Sequence, residues 1–163
     1  MILYHGTVKV IRHPDVSFSK NYLDFGRGFY LTTYKKQAEK WAKRKALRQK
    51  AEPIVNVYEL PEDLQGYKMK YFDQEDEKWL DFVCACRKGE DIYQNYDIII
   101  GGVADDDVFK TIDMYFRGIW NKDRTLQELR YYKKNNQICI VNQKVLDTEL
   151  KFQEFYRVME YDG

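Results

Sequence analysis

Short apolar runs cut by glycine alternate along this chain with longer stretches in which apolar residues return every three to four positions. Residues 1–5 form an apolar run halted at Gly6, which predicts a buried strand with His5 at its carboxyl end. Phe29-Tyr30-Leu31-Thr32-Thr33 is rich in β-formers and follows Gly26 and Gly28, which permit positive φ or close approach of a ligand or strand. Thr32 or Thr33 is expected to cap the helix that follows. Over residues 34–50 the stripe Ala38, Ala42, Ala46, with Trp41 beside it, predicts a helix lying close against a sheet. Residues 54–60 alternate as a strand after Pro53, and residues 67–72 suggest another. Trp79, Leu80, Val83 and Cys86 mark a helix over 75–88 stopped by Gly89. A buried strand over 97–100 runs into Gly101-Gly102.

The last third continues the alternation. Val108, Ile112, Tyr115, Phe116 and Ile119 space as a helix, with Asp105, Asp106 and Asp107 at its positive end. Thr125-Leu126-Gln127-Glu128 fits a capping box opening a short helix. Residues 137–141 read as a strand, and residues 145–158 close the sheet after a turn or short helix. No repeat or linker interrupts the pattern, which describes one α+β domain over residues 1–163, with strands scattered among helices.

Composition narrows the classes. The net charge of +1 gives no bulk attraction to nucleic acid or membrane, yet the charge is unevenly placed. Residues 35–50 hold eight Lys and Arg against Glu39 alone, and residues 59–81 are mostly acidic. The plain interpretation is a solvated helix face balanced by an acidic neighbour; the alternative is a nucleic-acid contact. Aromatic residues at 16 %, with 14 Tyr, argue for a packed domain rather than disorder. No apolar run reaches membrane-spanning length and no secretory leader pattern opens the chain, so a cytoplasmic protein without membrane contact is expected. Cys84, Cys86 and Cys139 are odd in number and match no paired ligand spacing, which suits buried reduced thiols. With His5 and His13 the only histidines, no metal is expected.

Three of the expected strands carry residues with chemistry: Leu3-Tyr4-His5-Gly6-Thr7, Gly26-Arg27-Gly28-Phe29-Tyr30-Leu31, and Asn136-Gln137-Ile138-Cys139-Ile140-Val141. Singly each is weak, since a histidine ending a strand is more often structural than catalytic. In this order they resemble the ADP-ribosyltransferase fold, in its diphtheria-toxin and poly(ADP-ribose) polymerase branch. That branch has His-Gly on its first strand, Tyr after G-x-G on the next, and Glu opening a late strand. Along nearly its whole length the chain also resembles a family of small bacterial proteins of unknown function. The shared segments are L-Y-H-G-T, D-F-G-R-G-F-Y-L-T-T, Q-A-E-K-W-A, V-N-V-Y-E, W-L-D-F-V, Y-D-I-I-I-G-G-V-A-D-D and N-N-Q-I-C.

The resemblance implies split mixed or antiparallel β-sheets with flanking helices, and transfer of one ADP-ribose from NAD to a protein or nucleic acid. By analogy with small stand-alone transferases it implies a bacterial toxin restrained by an antitoxin protein. It assigns the backbone of Gly6 to the nicotinamide carboxamide, His5 and Thr7 to ribose hydroxyls, and Tyr30 and Trp41 to the walls of the nicotinamide slot. Gly28 belongs to the same binding segment, and Arg27 either meets the pyrophosphate or is exposed. Gln137 stands where the pattern has Glu. Its carbonyl can accept a hydrogen bond from a ribose hydroxyl but carries no negative charge and cannot act as a base. Poly(ADP-ribose) synthesis is therefore not expected. Asp105 and Asp106 either supply the missing carboxylate or only cap the next helix. The alternatives are a catalytically inactive module binding NAD or ADP-ribose, and a transferase directed at nucleic acid.

Overall fold

The computed structural model describes residues 1–104, 106–129 and 135–159. Gly6 does not halt the first strand: β1 runs Ile2–Thr7 because it pairs antiparallel along its whole length with β3 (Ile54–Glu59), His5 opposite Asn56 and Gly6 opposite Val55. β3 is the central strand of a three-stranded sheet, with β7 (Lys151–Arg157) antiparallel on its other edge. The second sheet has the order β2 (Phe29–Leu31), β6 (Gln137–Ile140), β5 (Ile98–Gly101), β4 (Met69–Tyr71). Its pairings are antiparallel except β4 with β5. Among the described residues the backbones of the two sheets are joined by one bridge, Tyr4 with Thr32, whose N–H···O bonds are 2.8 and 3.0 Å. Past that bridge β1 and β2 part.

Among the described residues five α-helices accompany the sheets. α1 (Lys35–Gln49) buries Ala38, Ala42 and Ala46, and these small side chains bring its backbone onto β1. α2 (Glu77–Arg87) is capped by Asp76, whose carboxylate accepts the Trp79 N–H at 3.1 Å. It packs Trp79, Leu80 and Val83 against Phe25, Phe72 and Ile99. α3 (Asp106–Phe116) and α4 (Lys122–Leu129) cover the same core, through Val108, Ile112 and Leu129. α5 (Gln143–Thr148) buries Val145 and Leu146 in a second cluster built on Leu3, Leu31 and Ile140.

Two expected caps are corrected. The α1 N-cap is Tyr34, with no side-chain cap; the Thr32 hydroxyl takes the Tyr34 N–H at 3.1 Å and donates to Asn136 Oδ1 at 2.7 Å, so it ties the loop to β6. α4 starts ahead of Thr125, because Asn121 Oδ1 accepts the Arg124 N–H at 2.9 Å. Thr125 is buried inside that helix, its hydroxyl folded back on the Asn121 carbonyl. Cys84, Cys86 and Cys139 are buried free thiols, and burial pushes the Cys86 thiol up to about 12. Among the described residues no helix is long and apolar enough to cross a membrane.

Candidate functional site at the parting of the sheets

A cleft of about 600 Å³ opens where β1 and β2 part, lined by His5, Gly6, Tyr30, Trp41, Arg44, Lys45, Leu47 and Arg48. Its volume is that of a small-molecule site. The geometry around His5 follows from the lost strand pairing. Beyond the Tyr4–Thr32 bridge no ladder bond joins β1 to β2, and the His5 side chain spans the gap: Nδ1 lies 2.7 Å from the Tyr30 carbonyl oxygen. A carbonyl only accepts, so Nδ1 carries the hydrogen and donates it, and Nε2 keeps its lone pair. The ring stacks on Phe29 at 4.4 Å between centroids. Burial pulls the imidazole pKa from 6.5 to about 4, aided by the Lys45 charge and opposed by the Tyr30 carbonyl bond. His5 is therefore a neutral, oriented hydrogen-bond acceptor across the neutral pH range.

The register fixes what Gly6 offers. Tyr4 turns its N–H and C=O toward Thr32 and away from β3, and Gly6, two residues on, directs its own along the same edge. No described backbone group takes that edge at Gly6. One donor and one acceptor, side by side, thus face the gap. The missing side chain is required by packing against α1: a Cβ on Gly6 would stand 2.0 Å from the Ala38 carbonyl oxygen and 2.8 Å from the Ala42 nitrogen.

Tyr30 supplies a fixed wall. Its hydroxyl donates to the Gly26 carbonyl at 2.5 Å and accepts the Phe25 N–H at 3.0 Å. Burial raises its pKa well above the phenol range, and the nearby Asp24 carboxylate acts the same way. The phenol stays protonated and offers a ring face, not a proton. Trp41, half-buried on α1, lines the same cleft. Thr7 is buried and does not line the cleft; its hydroxyl lies 3.4 Å from Nζ of Lys45, which does.

The structure separates the other sequence candidates from this cleft. Arg27 is exposed, donates to the Ser17 carbonyl at 3.1 Å, and lines another cavity of about 300 Å³ with Tyr22, Lys88 and Tyr93. A Cβ on Gly28 would stand 2.4 Å from Cys139 Sγ, so this glycine lets β2 lie on β6. Positive φ is needed at Gly26 (75°), whose turn places the carbonyl that Tyr30 bonds. Asp105 and the side chain of Asp106 lie outside the described residues.

Gln137 is buried in a polar knot behind Tyr30. Its Nε2 donates to Asp24 Oδ2 at 3.0 Å and to the Gly102 carbonyl at 3.1 Å. Both partners are acceptors, which fixes the amide orientation and commits both hydrogens. Asp24 also accepts the Ala104 N–H at 2.9 Å and two hydrogens from Arg87, at 2.9 and 2.5 Å. Gln137 thereby holds the Asp24-Phe25-Gly26 turn to which the Tyr30 hydroxyl is bonded. The Gln137→Glu substitution follows from this geometry. An ionised carboxylate has no hydrogen for Asp24 or Gly102, so stability falls by roughly 2–3 kcal/mol at neutral pH. Burial and the neighbouring carboxylate raise the introduced group's folded-state pKa above its unfolded value. The stabilisation it allows is present at low pH and lost as pH rises, so melting temperature rises on acidification from about pH 7 to about pH 5. Wild-type melting behaviour in the variant at neutral pH would contradict this role.

Sequence reasoning missed Asp24 with Arg87, and the cations Arg44, Lys45 and Arg48. The first pair gave no local signal; the cations were legible, because with Trp41 they fall at i, i+3, i+4 and i+7 on one face of α1. Among the described residues no cluster of His, Cys, Asp and Glu is placed to hold a metal. No curated protein matches the chain. The family described as Protein of unknown function (DUF3990) matches residues 1–152, and the chain belongs to it.

Proposed function

We propose that the chain is an NAD-dependent mono-ADP-ribosyltransferase with a fold like that of the diphtheria-toxin and poly(ADP-ribose) polymerase branch. Its NAD site is the cleft at the parting of the sheets. The observation that carries this reading is the unpaired edge of Gly6 beside a neutral His5 and two aromatic walls. A carboxamide is a donor and an acceptor on one carbon, and the N–H and C=O of Gly6 complement both. Tyr30 and Trp41 sandwich a flat ring, worth on the order of 0.5–1.5 kcal/mol beyond area burial. His5 Nε2 accepts from a ribose hydroxyl, which a protonated imidazole could not do. Arg44, Lys45 and Arg48 supply positive charge for a diphosphate.

These residues bind and orient; the reaction they serve is a substitution at the ribose carbon. The bond to nicotinamide breaks with its electron pair leaving on nicotinamide. A bond forms from the same carbon to a nitrogen or oxygen of the acceptor, whose proton passes to solvent. Positive charge builds on the ribose as in glycoside cleavage. The Tyr30 and Trp41 ring faces favour that charge over the ground state. Gln137 adds no negative charge, so single transfer is proposed and chain elongation is not. Inside a bacterium such a transferase acts as a toxin and requires a protein antitoxin.

Incubating the protein with NAD labelled in the adenylate half, in bacterial lysate, tests the reading. Wild type is expected to release nicotinamide and label an acceptor, and His5→Ala to lose at least tenfold of that rate. The pH profile of NAD binding is a second check. With the His5 pKa at about 4 rather than 6.5, affinity stays flat through the neutral range and falls only as pH approaches that value. A loss of affinity centred near 6.5 would mean that His5 is not the acceptor.

A second reading is favoured by one observation. Both amide hydrogens of Gln137 are committed to Asp24 and Gly102, and no carboxylate lines the cleft among the described residues. A module that holds NAD or ADP-ribose without turnover fits that arrangement. Saturable NAD binding with no nicotinamide release would select it.

A further inference from the structure

The cavity of about 300 Å³ shares no lining residue with the cleft. Its volume is at the low end for small-molecule sites, enough for a sugar phosphate and too little for a dinucleotide. The wall is charged: Arg27 and Lys88 bring two cations and Asp91 a carboxylate. None of the three is in an ion pair among the described residues. Arg27 donates one guanidinium hydrogen to the Ser17 carbonyl and keeps the rest. The Lys88 ammonium lies 5.1 Å from the centre of the Phe116 ring. Asp91 precedes the short turn Ile92–Asn95 without capping it through its side chain. The backbone of the same wall is strained. Tyr22 stands in the left-handed region at φ 63°, which is costly for a residue with a bulky side chain. Its ring is 65 % exposed, so burial does little to offset that cost. The ring edge is held against Gly89, itself at φ 91°, where a Cβ would stand 2.9 Å from Tyr22 Cε1.

Two cations beside one carboxylate suit a ligand with a doubly charged group and hydrogen-bond donors next to it. A phosphate monoester carries a charge of about −1.5 to −2 at neutral pH, and its oxygens match the guanidinium fork. A carboxylate ligand would neutralise one cation and leave the other bare. Inorganic phosphate would meet Asp91 mainly as a like charge, whereas sugar hydroxyls donate to it. We propose that this cavity binds a sugar phosphate, with the phosphate on Arg27 and Lys88 and the hydroxyls on Asp91. The site goes beyond the NAD reading and stands without it. The two sites share one turn, because Gly26 lines this cavity and its carbonyl holds the Tyr30 hydroxyl.

The test is calorimetric titration of ribose 5-phosphate into the protein without NAD, with inorganic phosphate and ribose as comparison ligands. Saturable binding is expected with a dissociation constant at or below about 1 mM, at least about tenfold tighter than for either comparison ligand. Arg27→Ala and Lys88→Ala, both at exposed positions, should each weaken it by about tenfold or more. Asp91→Asn should give a crossed response. Ribose 5-phosphate binds about threefold or more weakly, while inorganic phosphate binds more tightly once the like charge is gone. Arg48→Ala, in the cleft and not in this cavity, should leave ribose 5-phosphate affinity within about twofold. Three outcomes would overturn the proposal: no saturable binding by wild type, equal binding of inorganic phosphate and ribose 5-phosphate, or wild-type affinity in both alanine variants. So would loss of binding in Arg48→Ala, since the sugar phosphate would then occupy the cleft.

Discussion

Asp24→Ala is expected to lower stability by about 3–5 kcal/mol, the usual cost of removing one partner from a buried ion pair. Asp24 is 7 % exposed and receives hydrogens from Arg87, the Ala104 N–H and Gln137 Nε2. Its loss strands a guanidinium, a backbone donor and an amide in a core beside Phe25 and Cys139. For a chain of this length that is a fall in melting temperature on the order of 10 °C. The effect also reaches the cleft, because the turn that Asp24 anchors carries the Gly26 carbonyl and Phe25 N–H bonded by the Tyr30 hydroxyl. A double-mutant cycle with Arg87→Ala separates interaction from truncation. Coupling above about 1 kcal/mol is expected, whereas additive losses would mean that the pair does not hold the turn.

Gly6→Ala is the second large effect, and it acts through α1. The added methyl group meets the Ala38 carbonyl oxygen at 2.0 Å and the Ala42 nitrogen at 2.8 Å. These are backbone atoms of a helix, which cannot rotate away as a side-chain tip does. Either α1 rides up from β1 or β1 bends, at a cost of about 3 kcal/mol. The alanine stripe of α1 exists for the same reason, so Ala38 and Ala42 cannot enlarge to compensate. Thermal unfolding reads the loss directly, and a variant melting within a degree or two of wild type would contradict the packing described here.

Much of this was legible in the chain, and what was not has physical causes. Alanines at i, i+4, i+8 announced a helix pressed on a sheet, and α1 buries those three residues on β1. His5, Gly6, Tyr30 and Trp41, grouped by resemblance, line one cleft. The divergence of β1 from β2 was beyond local pattern, because strand pairing is decided by long-range partners. For that reason Gly6 looked like a stop when it is a strand residue with a free edge. Gln137 was placed at the ribose, yet its amide is held by Asp24, 113 positions earlier. Arg87, in the last turn of α2, is the partner of that same carboxylate. Thr125 satisfied the spacing of a capping box, but Asn121 offered an acceptor sooner and the helix began there. Arg27, adjacent to Gly28 in sequence, turns to the Ser17 carbonyl.

The most direct test of the account is calorimetric titration of NAD into wild-type protein and into His5→Ala at neutral pH. Saturable binding is predicted for wild type, with affinity about tenfold weaker in the variant for the loss of one hydrogen bond of about 1.4 kcal/mol. No saturable binding by wild type, or equal affinity in both proteins, would contradict the assignment of the His5–Gly6 edge to NAD.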